Sequence, residues 1–273
     1  MQYDPIKRSL GSVFNQAPIL RKLFYRLLDL LLLRSWHIRR ELKRKAKQSN
    51  EELNVLDAGS GFGQYDYFMS TLGKKWQITG VDVKDEQIAD CNQFFSKIGR
   101  GDRVKFQKGD LTKYIKENEY DLVLSVDVME HILEDELVFK NFHASMKEGG
   151  TLLISTPSDM GGSDAHHHHE EDEVHGFIDE HVRDGYNAED IKEKLTRAGF
   201  SSIKTNYTYG KPGNLSWRLS MKYPILMLNA SKLFFILLPF YYLITYPFAF
   251  LLNCLDVNQK HEKGTGIMVV AQK

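Results

Sequence analysis

The sequence predicts an α/β fold in which helices cover both faces of a parallel sheet. From residue 54 onward, short apolar segments alternate with amphipathic helical segments, which is typical of such a sheet. A glycine-rich turn directly follows the first apolar segment. The 273 residues are 42% hydrophobic and 26% charged, a globular composition that excludes disordered chains and disulfide scaffolds.

The elements can be assigned in chain order. Residues 17–47 predict one or two helices, because apolar residues recur there at helical spacing and Arg and Lys occupy the other side. The predicted strands are residues 54–58, 77–83, 104–107, 120–126, 151–155, 201–208 and 266–271. The first predicted helix between them follows the glycine-rich turn and ends at residue 72. The others cover residues 86–98, 131–146 and 188–198.

The net charge of zero conceals a strong asymmetry. Residues 1–50 carry twelve basic and three acidic residues, whereas residues 159–190 carry eleven acidic and one basic residue. The first segment fits either a helix packed on the domain with a solvated basic face or a helix on an anionic membrane surface. Two distant cysteines and the lack of a secretory signal at the start predict a cytoplasmic protein.

Glycines and acids follow the predicted strands at the edge where open α/β sheets bind ligands. The first turn reads Asp57-Ala58-Gly59-Ser60-Gly61-Phe62-Gly63-Gln64, and a G-x-G-x-G turn with an acid two residues earlier is typical of S-adenosylmethionine (SAM) sites. Asp82 ends the second strand and can accept both ribose hydroxyls. Asp110 follows the third strand, where it can meet an adenine amino group.

With these motifs the sequence resembles class I SAM-dependent methyltransferases, in particular the group that includes quinone and lipid methyltransferases. The resemblance covers roughly residues 35–210 and the last strand. It implies a Rossmann-like, seven-stranded mixed sheet whose last strand is antiparallel, with SAM as the cofactor and no metal. The cofactor-binding residues it implies are Asp57, Gly59, Ser60, Gly61, Gly63, Gln64, Asp82, Val83, Asp110, Leu111, Ser125, Val126, Trp36 and Arg39.

Four residues are candidate general bases for deprotonating an acceptor. His131 follows the fourth strand beside the expected methyl group, and His175, His181 and Tyr186 follow the fifth strand. A histidine near its ordinary pKa can remove a hydroxyl proton at neutral pH. The tract His166–His169 lies in the same acidic loop, and its interpretation as a solvated mobile loop, a lid or a metal site stays open.

An apolar insertion separates the last two strands. Residues 233–255 contain no charged residue and are long enough to span a bilayer. Because both ends must return to one sheet and Pro239 and Pro247 interrupt a helix, a pair of helices dipping into one leaflet is favoured. A buried cap, a dimer interface and true membrane spanning are the alternatives.

These observations predict three regions: a basic helical cap in residues 1–50, a SAM-binding domain in residues 51–210 and 264–273, and the insertion in residues 211–263. The predicted function is methyl transfer from SAM to a lipophilic acceptor, at an aromatic hydroxyl, a carboxyl or a ring carbon, on the cytoplasmic membrane face. A homodimer is possible in this reading, and a nucleic-acid partner is not expected. The alternatives are a soluble methyltransferase for a small metabolite and a non-catalytic SAM-binding protein that recruits partners to membranes.

Overall fold

A computed structural model describes residues 17–48, 52–161, 182–231 and 233–273 of the chain. Its strands are β1 (Asn54–Ala58), β2 (Gln77–Asp82), β3 (Val104–Lys108), β4 (Tyr120–Val126), β5 (Met146–Pro157), β6 (Ser201–Thr208) and β7 (Gly266–Gln272). Its helices are α1 (Pro18–Leu31), α2 (Leu33–Gln48), α3 (Gln64–Leu72), α4 (Asp85–Lys97), α5 (Asp135–Ser145), α6 (Ala188–Arg197), α7 (Lys211–Trp217), α8 (Tyr223–Ala230) and α9 (Phe234–Asn258).

The seven strands form one mixed sheet in the order β3-β2-β1-β4-β5-β7-β6. The strands from β3 to β5 are parallel to their neighbours, and β7 runs antiparallel between β5 and β6. This arrangement confirms the predicted Rossmann-like sheet with helices on both faces and an apolar helix before the last strand. The carboxyl ends of β1, β2 and β4 therefore meet at one edge, where a ligand can reach all three.

Each face of the sheet carries its own core because successive strand residues point to opposite sides. On one face, Leu56 packs in a cluster with Phe139 and Tyr186. On the other face, Val55 packs with Tyr25 of α1 and Ile38 of α2. The N-terminal helices are thus part of the domain core.

Helix α1 does not present the face that its sequence predicts. Arg21 is buried, with its guanidinium 4.7 Å from the centre of the Phe94 ring. It donates hydrogen bonds to the carbonyls of Phe62 and Asp90. Four apolar residues of the same helix are exposed instead: Ile19, Leu23, Leu27 and Leu30. The predicted solvated basic face is therefore wrong for Arg21, which donates to carbonyls of the loop and of α4, whereas Arg26, Lys43 and Arg44 are exposed.

The apolar insertion forms helices α7, α8 and α9, with a π-helical turn at Arg218–Lys222. Pro239 and Pro247 lie inside the continuous 25-residue helix α9, so the expected interruption there was wrong. A proline removes one hydrogen bond and bends a long helix without having to end it. The Oγ of Ser216 donates to the Ala249 carbonyl, and the Oη of Tyr241 donates to the Leu219 carbonyl. Helix α9 thus runs alongside the rest of the insertion.

A buried carboxylate, Asp256, ties the end of α9 to the domain. His37 of α2 donates to its Oδ1 over 2.9 Å, and His261 Nε2 lies 3.1 Å from its Oδ2. The backbone N–H groups of Tyr209 and Gly213 donate to the same carboxylate. Burial alone would raise the pKa of Asp256, but the hydrogen bond from His37 and the nearby histidine charges lower it. The insertion is therefore fixed to α2 and to the end of β6.

Candidate active site

The glycine loop after β1 has the backbone conformation that its sequence predicts. Gly59, Gly61 and Gly63 have φ values of +85°, +51° and +73°, a left-handed region that favours glycine. The N–H groups of Gly59 and Ser60 donate to the Val81 carbonyl over 2.8 and 3.1 Å. The loop is therefore fastened to the end of β2 with its backbone open to a ligand.

Asp82, the predicted ribose acid, also holds this loop. Its Oδ2 accepts a hydrogen bond from the Gly61 N–H at 2.9 Å, and its Oδ1 accepts one from the Lys84 N–H at 3.0 Å. Val83, directly after it, exposes its apolar side chain beside this edge. The two residues offer a carboxylate and an apolar surface, as a nucleoside requires.

The remaining cofactor candidates lie around the same edge of the sheet. Asp110 is two residues past β3, and its Oδ1 accepts hydrogen bonds from the N–H and hydroxyl of Thr112. These hydrogen bonds lower the pKa of Asp110 and keep its carboxylate ionised. Leu111 is buried and Val126 is half-buried at the end of β4. Gln64 begins α3 and donates to Asp29 and Ser35.

Buried polar atoms at this edge lack hydrogen-bond partners in the described part of the chain. They are the Oδ2 of Asp57, the Oγ of Ser60 and the Oγ of Ser125. Such atoms are costly to bury without a partner, so they fit a polar ligand that supplies the missing hydrogen bonds. A Cβ added to Gly61 would meet no atom within 4 Å, so the loop also leaves room. The residues present fit SAM, which would supply an electrophilic methyl group here.

Asp57 has a second buried carboxyl, Asp66 of α3, as its neighbour. Both are almost fully buried, and neither oxygen of Asp66 accepts a hydrogen bond from a donor in the described structure. Burial raises the pKa of Asp57 to about 7, and burial together with the charge of Asp57 raises the pKa of Asp66 well above its ordinary value. The pair therefore retains a proton where isolated carboxyls would have lost theirs.

This retained proton predicts how stability depends on pH. Between about pH 4 and pH 7 the folded state binds more protons than the unfolded state, so stability falls as pH rises through this window. We expect Asp66→Asn to flatten that fall, and urea denaturation at several pH values measures it. Asp85→Asn, at an exposed ion pair with Lys108, is the control and should leave the slope unchanged. Equal slopes in the wild type and Asp66→Asn would contradict the shared proton.

The first turn of α2 faces the sheet edge, but not through the residues predicted from the sequence. Trp36 packs edge-to-face on Phe250, with ring centres 5.1 Å apart. Arg39 pairs with Asp29 and its guanidinium lies 4.0 Å from the centre of the Phe68 ring. Both side chains therefore have partners within the protein, and the assignment of Trp36 and Arg39 to the cofactor stays a prediction.

Arg34 occupies the place that the sequence analysis gave to those two residues. Its guanidinium forms an ion pair with Asp127 just after β4, and the backbone N–H of Arg34 donates to the Tyr209 hydroxyl at 3.0 Å. Asp127 and Tyr209 have φ values of +52° and +56°, which are uncommon outside glycine and are concentrated at functional sites. Asp127 directly follows the predicted strand 120–126 and Arg34 lies in the predicted basic helix, but nothing local to either residue indicates the pair.

The candidate bases have different surroundings. His131 is the exposed last residue of a 3₁₀ turn, Met129–His131, that follows β4, and it stays a candidate base. Its neighbour Glu130 is buried, accepts a hydrogen bond from the Thr156 hydroxyl and has a raised pKa because of burial. His175 and His181, like the tract His166–His169, lie outside the described residues.

Tyr186 is a buried residue whose hydroxyl bonds to another side chain, so its assignment as a general base is corrected. Its buried hydroxyl donates to Asp135 Oδ2 at 2.8 Å. Burial and this bond raise its pKa, so it cannot accept a proton near neutral pH. Asp135 also pairs with Arg183 and Lys194. The tyrosine thus belongs to a polar network that fixes α6 against α5.

We expect Tyr186→Phe to cost about 1 kcal/mol of unfolding free energy, the net value of a lost hydrogen bond. Cofactor affinity should not change, because the hydroxyl points to Asp135. Urea denaturation and SAM titration measure the two quantities. A loss of SAM affinity without a loss of stability would instead place Tyr186 in the site.

Comparison with known proteins agrees with this geometry. A model of the family described as "Methyltransferase domain" matches residues 49–204. Phosphoethanolamine N-methyltransferase 1 of Triticum aestivum is 29% identical over 153 residues, which cover 55% of this chain and 28% of that protein. (S)-coclaurine N-methyltransferase of Papaver somniferum is 28% identical over 149 residues, covering 55% of this chain and 39% of the relative. The chain thus spans well under half the length of these relatives.

Two solved structures share the fold. Phosphoethanolamine N-methyltransferase 2 of Haemonchus contortus, in complex with SAM, superposes with a TM-score of 0.61 at 19% identity, over 87% of this chain and 52% of that one. A putative sarcosine dimethylglycine methyltransferase from Galdieria sulphuraria superposes with a TM-score of 0.59 at 15% identity, over 88% of this chain and 85% of that one. The family match covers more than half of the chain. The chain belongs to the SAM-dependent methyltransferase-domain family.

Proposed function

We propose that this protein transfers the methyl group of SAM to a lipophilic acceptor at the cytoplasmic face of a membrane. The observation that carries the proposal is the exposed apolar surface of α9. In the described structure this is the one helix long and apolar enough to cross a membrane, and only 6% of its most apolar stretch is buried. Water-soluble monomers rarely expose apolar patches beyond a few hundred Å².

The exposed surface extends beyond α9. Ile236 and Leu243 are 69% and 76% exposed, and the apolar residues of α1 are exposed as well. The Tyr246 hydroxyl donates to the Leu30 carbonyl, so this surface joins the two helices. Tyrosines such as Tyr246 suit the boundary between lipid and water.

Contacts along α9 support a helix that lies on the membrane rather than across it. Its hydrogen bonds to the α7 and π-helical segment and the Asp256 contacts tie it to the domain at several levels. A helix attached in this way presents one side to a bilayer while the sheet stays in water. Cys91 and Cys254 are both free thiols, in keeping with a reducing compartment.

The site residues can be given roles in this reaction. Asp57, the glycine loop and Asp82 would hold SAM, and Arg34 paired with Asp127 would border the acceptor at the end of β4. His131 would take the acceptor proton when the methylated atom is a hydroxyl oxygen, whereas a carboxylate acceptor has no proton to lose. Alignment of the acceptor with the methyl group is the main requirement.

The test uses methyl-labelled SAM, purified protein and a total lipid extract. We expect label in the organic phase with the wild type and none with Asp82→Ala, which loses both the ribose acid and a loop hydrogen bond. His131→Asn should bind SAM normally and turn over more slowly. Label only in water-soluble products would contradict a lipophilic acceptor. SAM binding without any labelled product would favour a non-catalytic protein.

Membrane binding is tested separately by flotation with phosphatidylcholine vesicles. We expect the wild type to float and the variant Ile236→Asp/Leu243→Asp to remain below, because both side chains are exposed on α9. The matched control is Ile115→Asp/Leu137→Asp, at two apolar residues exposed elsewhere. If the wild type does not float and forms dimers, while the α9 variant is monomeric and the control variant stays dimeric, this surface binds a second copy of the chain.

A further inference from the structure

A cleft beside the apolar surface is lined by three cations and no acid. It has a volume of about 610 Å³ and lies between α7 and the segment before β7. Its cations are Lys211, Arg218 and Lys263. Met160 and Leu215 add apolar surface to the same lining. Size and composition suit a small anionic group attached to an apolar chain.

The charges of these cations are not neutralised within the described part of the chain. None of the three forms an ion pair there, whereas other exposed cations do, such as Lys108 with Asp85. Two acids close to the lining residues have other partners. Asp256 accepts hydrogen bonds from His37 and from backbone N–H groups, and Asp159 accepts one from Asn187. Among the described residues, the lining of the cleft therefore carries only positive charge, which favours an anion.

The floor of the cleft is rigid. The Ser158 hydroxyl donates to the Gly264 carbonyl, and the Thr265 N–H donates to the Tyr209 carbonyl. A Cβ on Gly264 would lie 2.2 Å from the Thr208 carbonyl oxygen, so the backbone there is packed as closely as glycine allows. Long basic side chains above a fixed floor can close on an anion without moving the backbone.

Residues of the cleft lining connect it with exposed apolar residues and with Arg34 of the candidate active site. Leu215 and Leu226, on α7 and α8, are exposed on the way to α9. Tyr209 lines the cleft, and its hydroxyl accepts the N–H of Arg34, the partner of Asp127. Arg34 thus connects Tyr209 of the cleft with Asp127 at the end of β4.

From this geometry we infer that the cleft binds the anionic headgroup, a phosphate or carboxylate, of the amphipathic acceptor. The inference rests on the proposed function and narrows its acceptor to an acidic amphiphile. Lys211, Arg218 and Lys263 would bind the headgroup while the tail follows Leu215 toward the α8 and α9 surface. The cations would thereby select acceptors with an anionic headgroup, and the apolar surface would select acceptors with an apolar tail.

The experiment measures binding of dodecyl phosphate, below its critical micelle concentration, to the full chain. We expect the variant Lys211→Gln/Arg218→Gln/Lys263→Gln to bind it at least about tenfold more weakly than the wild type, since charge-assisted hydrogen bonds are lost. The control Lys74→Gln/Lys75→Gln/Lys204→Gln removes three exposed cations elsewhere and should bind like the wild type. Dodecyl maltoside should bind all three proteins equally, and inorganic phosphate should compete with dodecyl phosphate.

Two results would overturn the inference. One is equal affinity of the wild type and the cleft variant for dodecyl phosphate. The other is a difference confined to vesicles containing phosphatidylglycerol, because the cations would then serve the bilayer surface instead of the acceptor. A third result is that the cleft variant loses dodecyl phosphate binding while no lipid is labelled from SAM. That result would contradict methyl transfer to a lipophilic acceptor and would still support the anion site.

Discussion

Gly59→Ala is expected to weaken SAM binding by at least about a hundredfold, equivalent to roughly 2.7 kcal/mol. A Cβ at this position would lie 2.2 Å from a methyl carbon of Val128, and the residue has φ +85°. The substitution therefore adds a steric clash to an unfavourable backbone conformation. Relief of both requires the loop to move away from the end of β4, where the cofactor is expected.

Two further glycines separate these contributions. Gly149 has φ +73° and open space around it, so Gly149→Ala carries the conformational cost alone, far from the loop. Gly61 has φ +51° and open space within the loop itself. Isothermal titration with SAM should give normal affinity for Gly149→Ala, an intermediate loss for Gly61→Ala and the largest loss for Gly59→Ala. Normal affinity in Gly59→Ala would show that SAM does not use this loop.

Asp256→Ala is expected to cost about 3–5 kcal/mol of unfolding free energy, the range for breaking a buried charged network. His37, His261 and two backbone N–H groups would lose their acceptor, and these groups come from three separate parts of the chain. Denaturation in urea measures the loss. Asp85→Ala, which removes an exposed ion pair, should cost less than about 1 kcal/mol.

The pH dependence of this network has a definite sign. Because the pKa of Asp256 is lowered in the folded state, its contribution is present above the ordinary carboxyl pKa and is lost as pH falls further. The wild type should therefore lose stability in acid more steeply than Asp256→Ala. A variant as stable as Asp85→Ala at neutral pH would show that the histidines and backbone groups find other partners.

The features predicted from the sequence are those that a few consecutive residues determine. The apolar runs specify the strands, and the run from Asp57 to Gln64 specifies the loop through three glycines with positive φ. Strand ends such as Asp82 follow from the order of elements. These signals are local, so packing elsewhere does not change them.

The remaining features depend on residues that only the fold brings together. Arg34 and Asp127 are 93 positions apart, and His37 and Asp256 are 219 positions apart. The burial of Arg21 depends on carbonyls of the loop and of α4 that accept its hydrogen bonds. Tyr186 is a residue type that can act in catalysis and it follows the fifth strand, but its hydroxyl is buried against Asp135. A residue type in a suitable segment does not reveal its partner.

The position of β7 has a consequence for how the chain folds. Its residues follow every other described strand, yet it lies between β5 and β6 and forms hydrogen bonds with both. Until β7 is synthesised, β6 cannot join the sheet, and until the preceding helix α9 is synthesised, α2 lacks its Asp256 partner. Contacts so distant in sequence slow folding. We therefore expect a nascent chain to carry an unfinished sheet edge until β7 has been made.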